Sequence, residues 1–115
     1  MLNSNVNIQN VSSQFTAAKN VSILSINAYK MGRLVIIDLS FMVSVVNLDT
    51  AIMTPNNDGV RPQAAVYSCF STGHDSAHKN ITCYVSYWQG TFIIGNGAGD
   101  PNVNYRVHIS YFSVS

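Results

Sequence analysis

The sequence predicts an all-β chain folded as an antiparallel sandwich or barrel, and three observations carry that prediction. The first is composition. Of 115 residues, 10% are charged and 47% are apolar, against about 25% charged in an average soluble domain. All five acidic residues are Asp, with no Glu. Glu, Lys and Ala, which favour solvated helices, are scarce beside plentiful Val, Ile, Tyr, Phe and Ser. The second is alternation. In "LVIIDLSFMVSVV" (34–46) the odd positions Val35, Ile37, Leu39, Phe41, Val43 and Val45 are all apolar, which is the period of a strand with one buried face. The third is the regular spacing of turn residues between apolar runs.

The elements follow in order. Residues 1–20 are polar and lack sustained periodicity, which predicts a lead-in or linker arm, with the domain spanning 21–115. "VSILSINAY" (21–29) is strand-like, and "KMGR" (30–33) is a turn in which Gly32 can supply the positive φ of a short hairpin. The long strand 34–46 follows. Its even face carries Ile36 and Met42 beside Asp38 and Ser40, so it is not plainly solvated, which suits partial cover by another subunit. "NLDTAIMTPNNDGVRP" (47–62), broken by Pro55, Gly59 and Pro62, reads as mostly loop. "QAAVYSCFST" (63–72), "ITCYVSYW" (81–88) and "TFIIGN" (91–96) read as strands, joined by the polar loop "GHDSAHKN" (73–80) and the two-residue "QG". "GAGDPN" (97–102) is a turn-rich loop. "VNYRVHISYFSV" (103–114) closes the chain with Val103, Tyr105, Val107, Ile109 and Tyr111 on one face. Six or seven strands result, with no helix of usable length.

Several function classes lose support at this level. The formal charge is +1 and the six basic residues are scattered, which lacks the clustered footprint of nucleic-acid binding. No apolar run reaches membrane-spanning length, and the start has no signal-peptide pattern. Hydrolysis calls for converging carboxylates or a Ser-His-Asp set, but the Asp residues are dispersed and no G-x-S-x-G occurs. The chain is therefore expected not to be an enzyme. "GNGAGD" (95–100) feeds a strand, whereas a phosphate cradle feeds a helix. His74 and His78 are four apart, but on a loop between strands and without a third ligand, so neither a metal nor another cofactor is expected. Cys69 and Cys83 satisfy an antiparallel pairing closed through 73–80, so they could face each other; buried reduced thiols are the safer reading. The Asn-x-Ser/Thr triplets at Asn10, Asn20 and Asn80 arise readily by chance in an Asn- and Ser-rich chain. His108 reads as a structural strand histidine, or as one that makes a subunit interface pH-sensitive.

The group "CYVSYWQG" points elsewhere. Tyr84 and Trp88 share one strand face and Tyr87 takes the other. Aromatic platforms flanked by polar loops suit sugar binding, while the same rings also suit a core or a subunit interface. The candidate ligand-binding residues, chosen on chemistry, are His74, Asp75, His78, Tyr84, Trp88, Asp100 and Asn102.

"INAYKMGRLVIIDLSFMVS", "LDTAIMTPNNDGVRPQAAVYSCFS", "WQGTFIIGNG" and "YRVHISYFSVS" together resemble the C-terminal head domain of bacteriophage tail and baseplate receptor-binding proteins. The matching elements are Tyr29 to Arg33, Pro55 to Pro62, Gly90 to Ile94 and Tyr105 to Phe112, within a resemblance covering about residues 20 to 114. They are partly shared with other trimeric jelly rolls, such as tumour-necrosis-factor and C1q-like heads. The loop "MTPNNDGVRP" is longer and more polar than the family's. The resemblance implies a jelly-roll-like β-sandwich forming a homotrimeric head in the virion, at a phage tail tip or baseplate, made in the host cytoplasm. Its implied partners are its own copies, other tail or baseplate proteins, and a bacterial surface saccharide or teichoic-acid-like polymer, with no nucleic acid and no membrane insertion. A structural virion domain without a ligand (a fibre knob, baseplate or decoration protein) is the alternative. A polysaccharide-degrading tail enzyme would need carboxylates assembled between subunits.

Overall fold

The computed structural model describes residues 7–46, 49–74, 80–94 and 101–115, and only the backbone of 66–72, 74 and 80–83. Nine strands lie among them: β1 (Ile8–Asn10), β2 (Phe15–Ala17), β3 (Val21–Met31), β4 (Leu34–Val43), β5 (Thr50–Pro55), β6 (Val66–His74), β7 (Asn80–Trp88), β8 (Thr91–Ile94) and β9 (Asn104–Phe112). Every pairing is antiparallel, in the order β1-β3-β4-β9-β6-β7-β8-β5-β2. Two antiparallel sheets pack as a sandwich. The hydrogen-bonded order runs from one to the other through β9. That strand pairs with β4 from Tyr105 to Phe112 but with β6 only from Asn104 to Val107.

The core follows from the period-two pattern. On β4, Val35, Ile37, Leu39, Phe41 and Val43 are buried, and on β9 so are Tyr105, Val107, Ile109 and Tyr111. The register sets Ile37 opposite Ile109 and Leu39 opposite Val107, so the two apolar rows meet on one face. Phe41 and Tyr105 stack with centroids 5.8 Å apart. Phe92 of β8 lies 5.0 Å from its cross-strand partner Tyr87 of β7 and, across the sandwich, 6.0 Å from Tyr111 of β9. These three rings join the two layers. The alternation outruns the strand: β4 ends at Val43, and Val45, expected on the buried face, is exposed.

The two tight turns behave as their glycines require. Met31 pairs with Leu34, which leaves Gly32-Arg33 as a two-residue loop with Gly32 at φ 58°. Trp88 pairs with Thr91 around Gln89-Gly90, both at positive φ, the requirement of a type I′ turn.

The domain extends further toward the N-terminus than its composition suggests. β1 pairs with β3, and β2 pairs with β5. These are the two ends of the strand order, yet only residues 11–14 separate β1 from β2. The nine strands must therefore curl until their ends meet. Val11 seals that junction, buried and donating its N–H to the Ala28 carbonyl at 2.8 Å. Residues 8–17 thus belong to the sandwich rather than leading into it.

Two other expectations are refined. The stretch 47–62 contains a strand its composition did not suggest: β5 occupies Thr50–Pro55 between β8 and β2, with turns and an isolated bridge after it. A bulge at Ile52 puts Ile52 and Met53, consecutive residues, both in the core. Cys69 and Cys83 do not face each other: Cys69 is opposite Val85 and Cys83 opposite Ser71, a two-residue displacement from the expected register.

The C-terminal residues are clamped to the β3–β4 turn. Arg33 donates from Nε and Nη2 to the Ser113 carbonyl at 2.9 and 2.7 Å, and Lys30 Nζ donates to the Ser115 carbonyl at 2.7 Å. The Tyr111 hydroxyl donates to the carbonyl of fully buried Val60 at 2.5 Å. Burial pushes that hydroxyl's pKa well above its ordinary value, with Tyr87 adding to the effect. The native state therefore holds its proton more tightly than the unfolded chain does. The associated stability is complete below pH ~10 and declines as pH rises past that value. Tyr111→Phe is expected to cost about 1–3 kcal/mol at neutral pH, because it leaves a buried carbonyl without its partner. The gap between wild type and variant should narrow above pH ~10. Urea unfolding of both proteins at neutral and alkaline pH checks this; a gap that widens with pH refutes it.

Candidate functional site

The outer faces of the two sheets carry the polar chemistry, and they differ. On the β7-β8-β5-β2 layer, Tyr84 is 58% exposed and Trp88 is 45% exposed, while Tyr87 between them is buried. The alternation of β7 therefore places two aromatic rings outward. Trp88 is the chain's single tryptophan. Across the sheet from it, the register sets Thr91 beside Trp88, Thr54 is joined to Thr91 by a hydroxyl–hydroxyl hydrogen bond of 3.1 Å, and Thr16 pairs with Thr54. Thr91 Oγ1 also donates to the Met53 carbonyl at 2.8 Å, and Thr16 Oγ1 donates to Asn56 Oδ1 at 2.7 Å. The result is an aromatic ring at the end of a row of hydroxyls that the backbone and one amide hold in place.

On the β1-β3-β4-β9 layer, the outward residues fall into two zones. Toward the β3–β4 turn the rows are apolar: Met31, Leu34 and Phe112, then Tyr29 and Ile36 beside Ser110. Further along, the rows turn polar: Asn27, Asp38 and His108, then Ser25, Ser40 and Arg106. The small side chains Ser25, Asn27 and Ser40 leave a trough of about 500 Å³ in this zone, lined also by Asp38, Arg106 and His108. The bulge between Ile23 and Ser25 interrupts β3 beside it. His108 Nδ1 and Asp38 Oδ1 are 2.7 Å apart, with both side chains largely exposed. Ser40 Oγ donates to Asn104 Oδ1 at 2.8 Å.

The candidate residues chosen from sequence that fall among the described residues, His74, Tyr84, Trp88 and Asn102, do not gather in one place. His74 ends β6, in register with Asn104 and Asn80. Asn102 adopts a φ of 61° in the turn before β9, and its N–H donates to the Val43 carbonyl at 2.7 Å. These two therefore share one end of the sandwich. Trp88 sits at the other end of β7, beside the Gln89-Gly90 turn, with Tyr84 midway. Asp75, His78 and Asp100 lie outside the described residues. Asp38, Ser40, Asn27 and Arg106 are not among the residues the sequence marks as ligand-binding, and His108 reads there only as a structural or interface histidine. Their only signal was the polar break in the even face of β4, and its meaning depends on the long-range β4–β9 register. Among the residues whose side chains are described, no group of three or more His, Cys, Asp or Glu is placed to hold a metal ion.

No family model matches the chain, and no curated protein matches it in sequence.

Proposed function

We propose that this chain is a non-enzymatic, saccharide-recognising head, of the kind that phage tails use to adsorb to a bacterial surface. The observation that carries the reading is the outward pair Tyr84 and Trp88, with Trp88 adjoining the hydroxyl row Thr91, Thr54 and Thr16. A half-exposed ring gives the apolar face of a sugar a surface to stack on, and the adjacent hydroxyls give its polar edge partners. Assembly as a homotrimer belongs to the same reading. It is supported by the low charge of the chain and by exposed Ile8, Tyr29 and Phe112 on the outer face of the other sheet.

The single tryptophan makes the test direct. Titration with bacterial surface polysaccharides is expected to change Trp88 emission saturably. Trp88→Ala is expected to weaken binding, read by calorimetry, roughly tenfold per site, the scale of one lost aromatic contact. Emission indifferent to every polysaccharide, together with failure to adsorb to host cells, would favour a structural virion domain instead. Light scattering that returns one chain mass would remove the trimer.

A further inference from the structure

We propose that the trough on the outer face of β3, β4 and β9 is a second binding site, for a neutral, hydroxyl-rich ligand such as the sugar ring of a glycan. Its chemistry is independent of Trp88, which lies on the other layer.

The trough combines a carboxylate, a guanidinium, an imidazole, an amide and two hydroxyls within two adjacent cross-strand rows. Neighbouring rows on one face lie about 7 Å apart, the span of a single sugar ring. A volume of about 500 Å³ falls in the range of small-ligand sites. Both charge signs are present, and this decides the ligand class. An anionic ligand would be brought against Asp38, and a cationic one against Arg106. A polyol meets neither penalty, because each hydroxyl both donates and accepts. The His108 contact uses Oδ1 of Asp38, which leaves Oδ2 to accept from a ligand hydroxyl. That contact also fixes the carboxylate's orientation. Asn27 and Ser25 add groups that can donate or accept, and a guanidinium has five donors, so Arg106 can serve a ligand while keeping a contact within the protein. The small side chains of Ser25, Asn27 and Ser40 make the trough.

The test is an NMR titration of the labelled full chain with glucose, galactose and N-acetylglucosamine. Glucuronate and glucosamine serve as anionic and cationic counterparts at matched ionic strength. At least one neutral sugar is expected to move the His108 imidazole signals saturably. Asp38→Asn, an isosteric change at an exposed position, is expected to weaken that response tenfold or more, since a charge-assisted hydrogen bond becomes a neutral one. Unchanged amide signals elsewhere would show that the variant is folded. No saturable shift with any neutral sugar overturns the proposal. So does an undiminished response in Asp38→Asn, or a charged counterpart binding tenfold tighter than the neutral sugars. Trp88 emission followed in the same titration separates the two sites: a His108 response with silent Trp88 assigns these sugars to the trough alone and leaves the aromatic platform to be decided by the polysaccharide titration.

Discussion

Gly73→Ala is expected to destabilise the sandwich by about 3 kcal/mol, at the upper end of the usual cost of overpacking. A Cβ at position 73 would lie 2.6 Å from the Asn104 carbonyl oxygen and 2.7 Å from Tyr105 Cδ1. Neither neighbour can yield easily. The first is backbone within the β6–β9 ladder, and the second belongs to a fully buried ring stacked on Phe41. The position is critical because only four residue pairs join β6 to β9, and Gly73–Tyr105 is one of them. Overpacking there separates the strands that carry the hydrogen-bond order from one layer to the other. Gly32→Ala makes an instructive contrast: nothing lies within 4 Å, and only its φ of 58° resists a side chain, so a cost of about 1 kcal/mol is expected. Thermal unfolding would read the Gly73 change as a fall of roughly 12 °C. Tyr105→Leu in the same chain should relieve the strain only in part, because the contact with the Asn104 oxygen remains. A Gly73→Ala protein as stable as wild type would refute this account of the seam.

Phe92→Ala is expected to cost about 3–5 kcal/mol, the range for deleting a buried aromatic ring. Phe92 is fully buried and is the middle member of the Tyr87–Phe92–Tyr111 chain. Its loss would remove contacts on both sides of the sandwich and open a cavity between layers. Against a typical domain stability of about 5–15 kcal/mol, the variant would retain little margin at 37 °C. Phe92→Leu, which keeps much of the volume, should cost well under half as much. Urea unfolding midpoints for the three proteins check the order. A Phe92→Ala cost below about 1 kcal/mol would mean that the rings do not couple the layers.

The legible parts of this fold are those where one strand has one buried face throughout. β4 and β9 could be read because their apolar rows keep strict period two, and the same parity separated outward Tyr84 and Trp88 from inward Tyr87. Local departures from that period hid the rest. The bulge at Ile52 puts two consecutive β5 residues in the core, so "TAIMTP" shows no alternation and its proline suggests a loop. β1 and β2 are three residues each, too short to show a period, and β1 has no buried residue. Register was the other loss. The Cys69–Cys83 alignment missed by two residues because nothing local fixes the length of the connection between β6 and β7. The trough needed the pairing of Asp38 with His108, seventy positions apart, and no short-range pattern encodes that. Loop chemistry could not show that His74 and Trp88 lie at opposite ends of the sandwich.

The docking of Ile8 and Ser115 beside one turn has a topological consequence. Ile8 pairs with Met31, and Ser115 is held by Lys30. The two ends of the described chain therefore leave the domain at neighbouring points. A short bridge between them would close the backbone into a ring without disturbing a strand, and the ring could be cut anew at the exposed Gln89-Gly90 turn. The same closeness means that the sandwich could be inserted into another protein's surface loop, hung from a single stem with both sheet faces left open to solution.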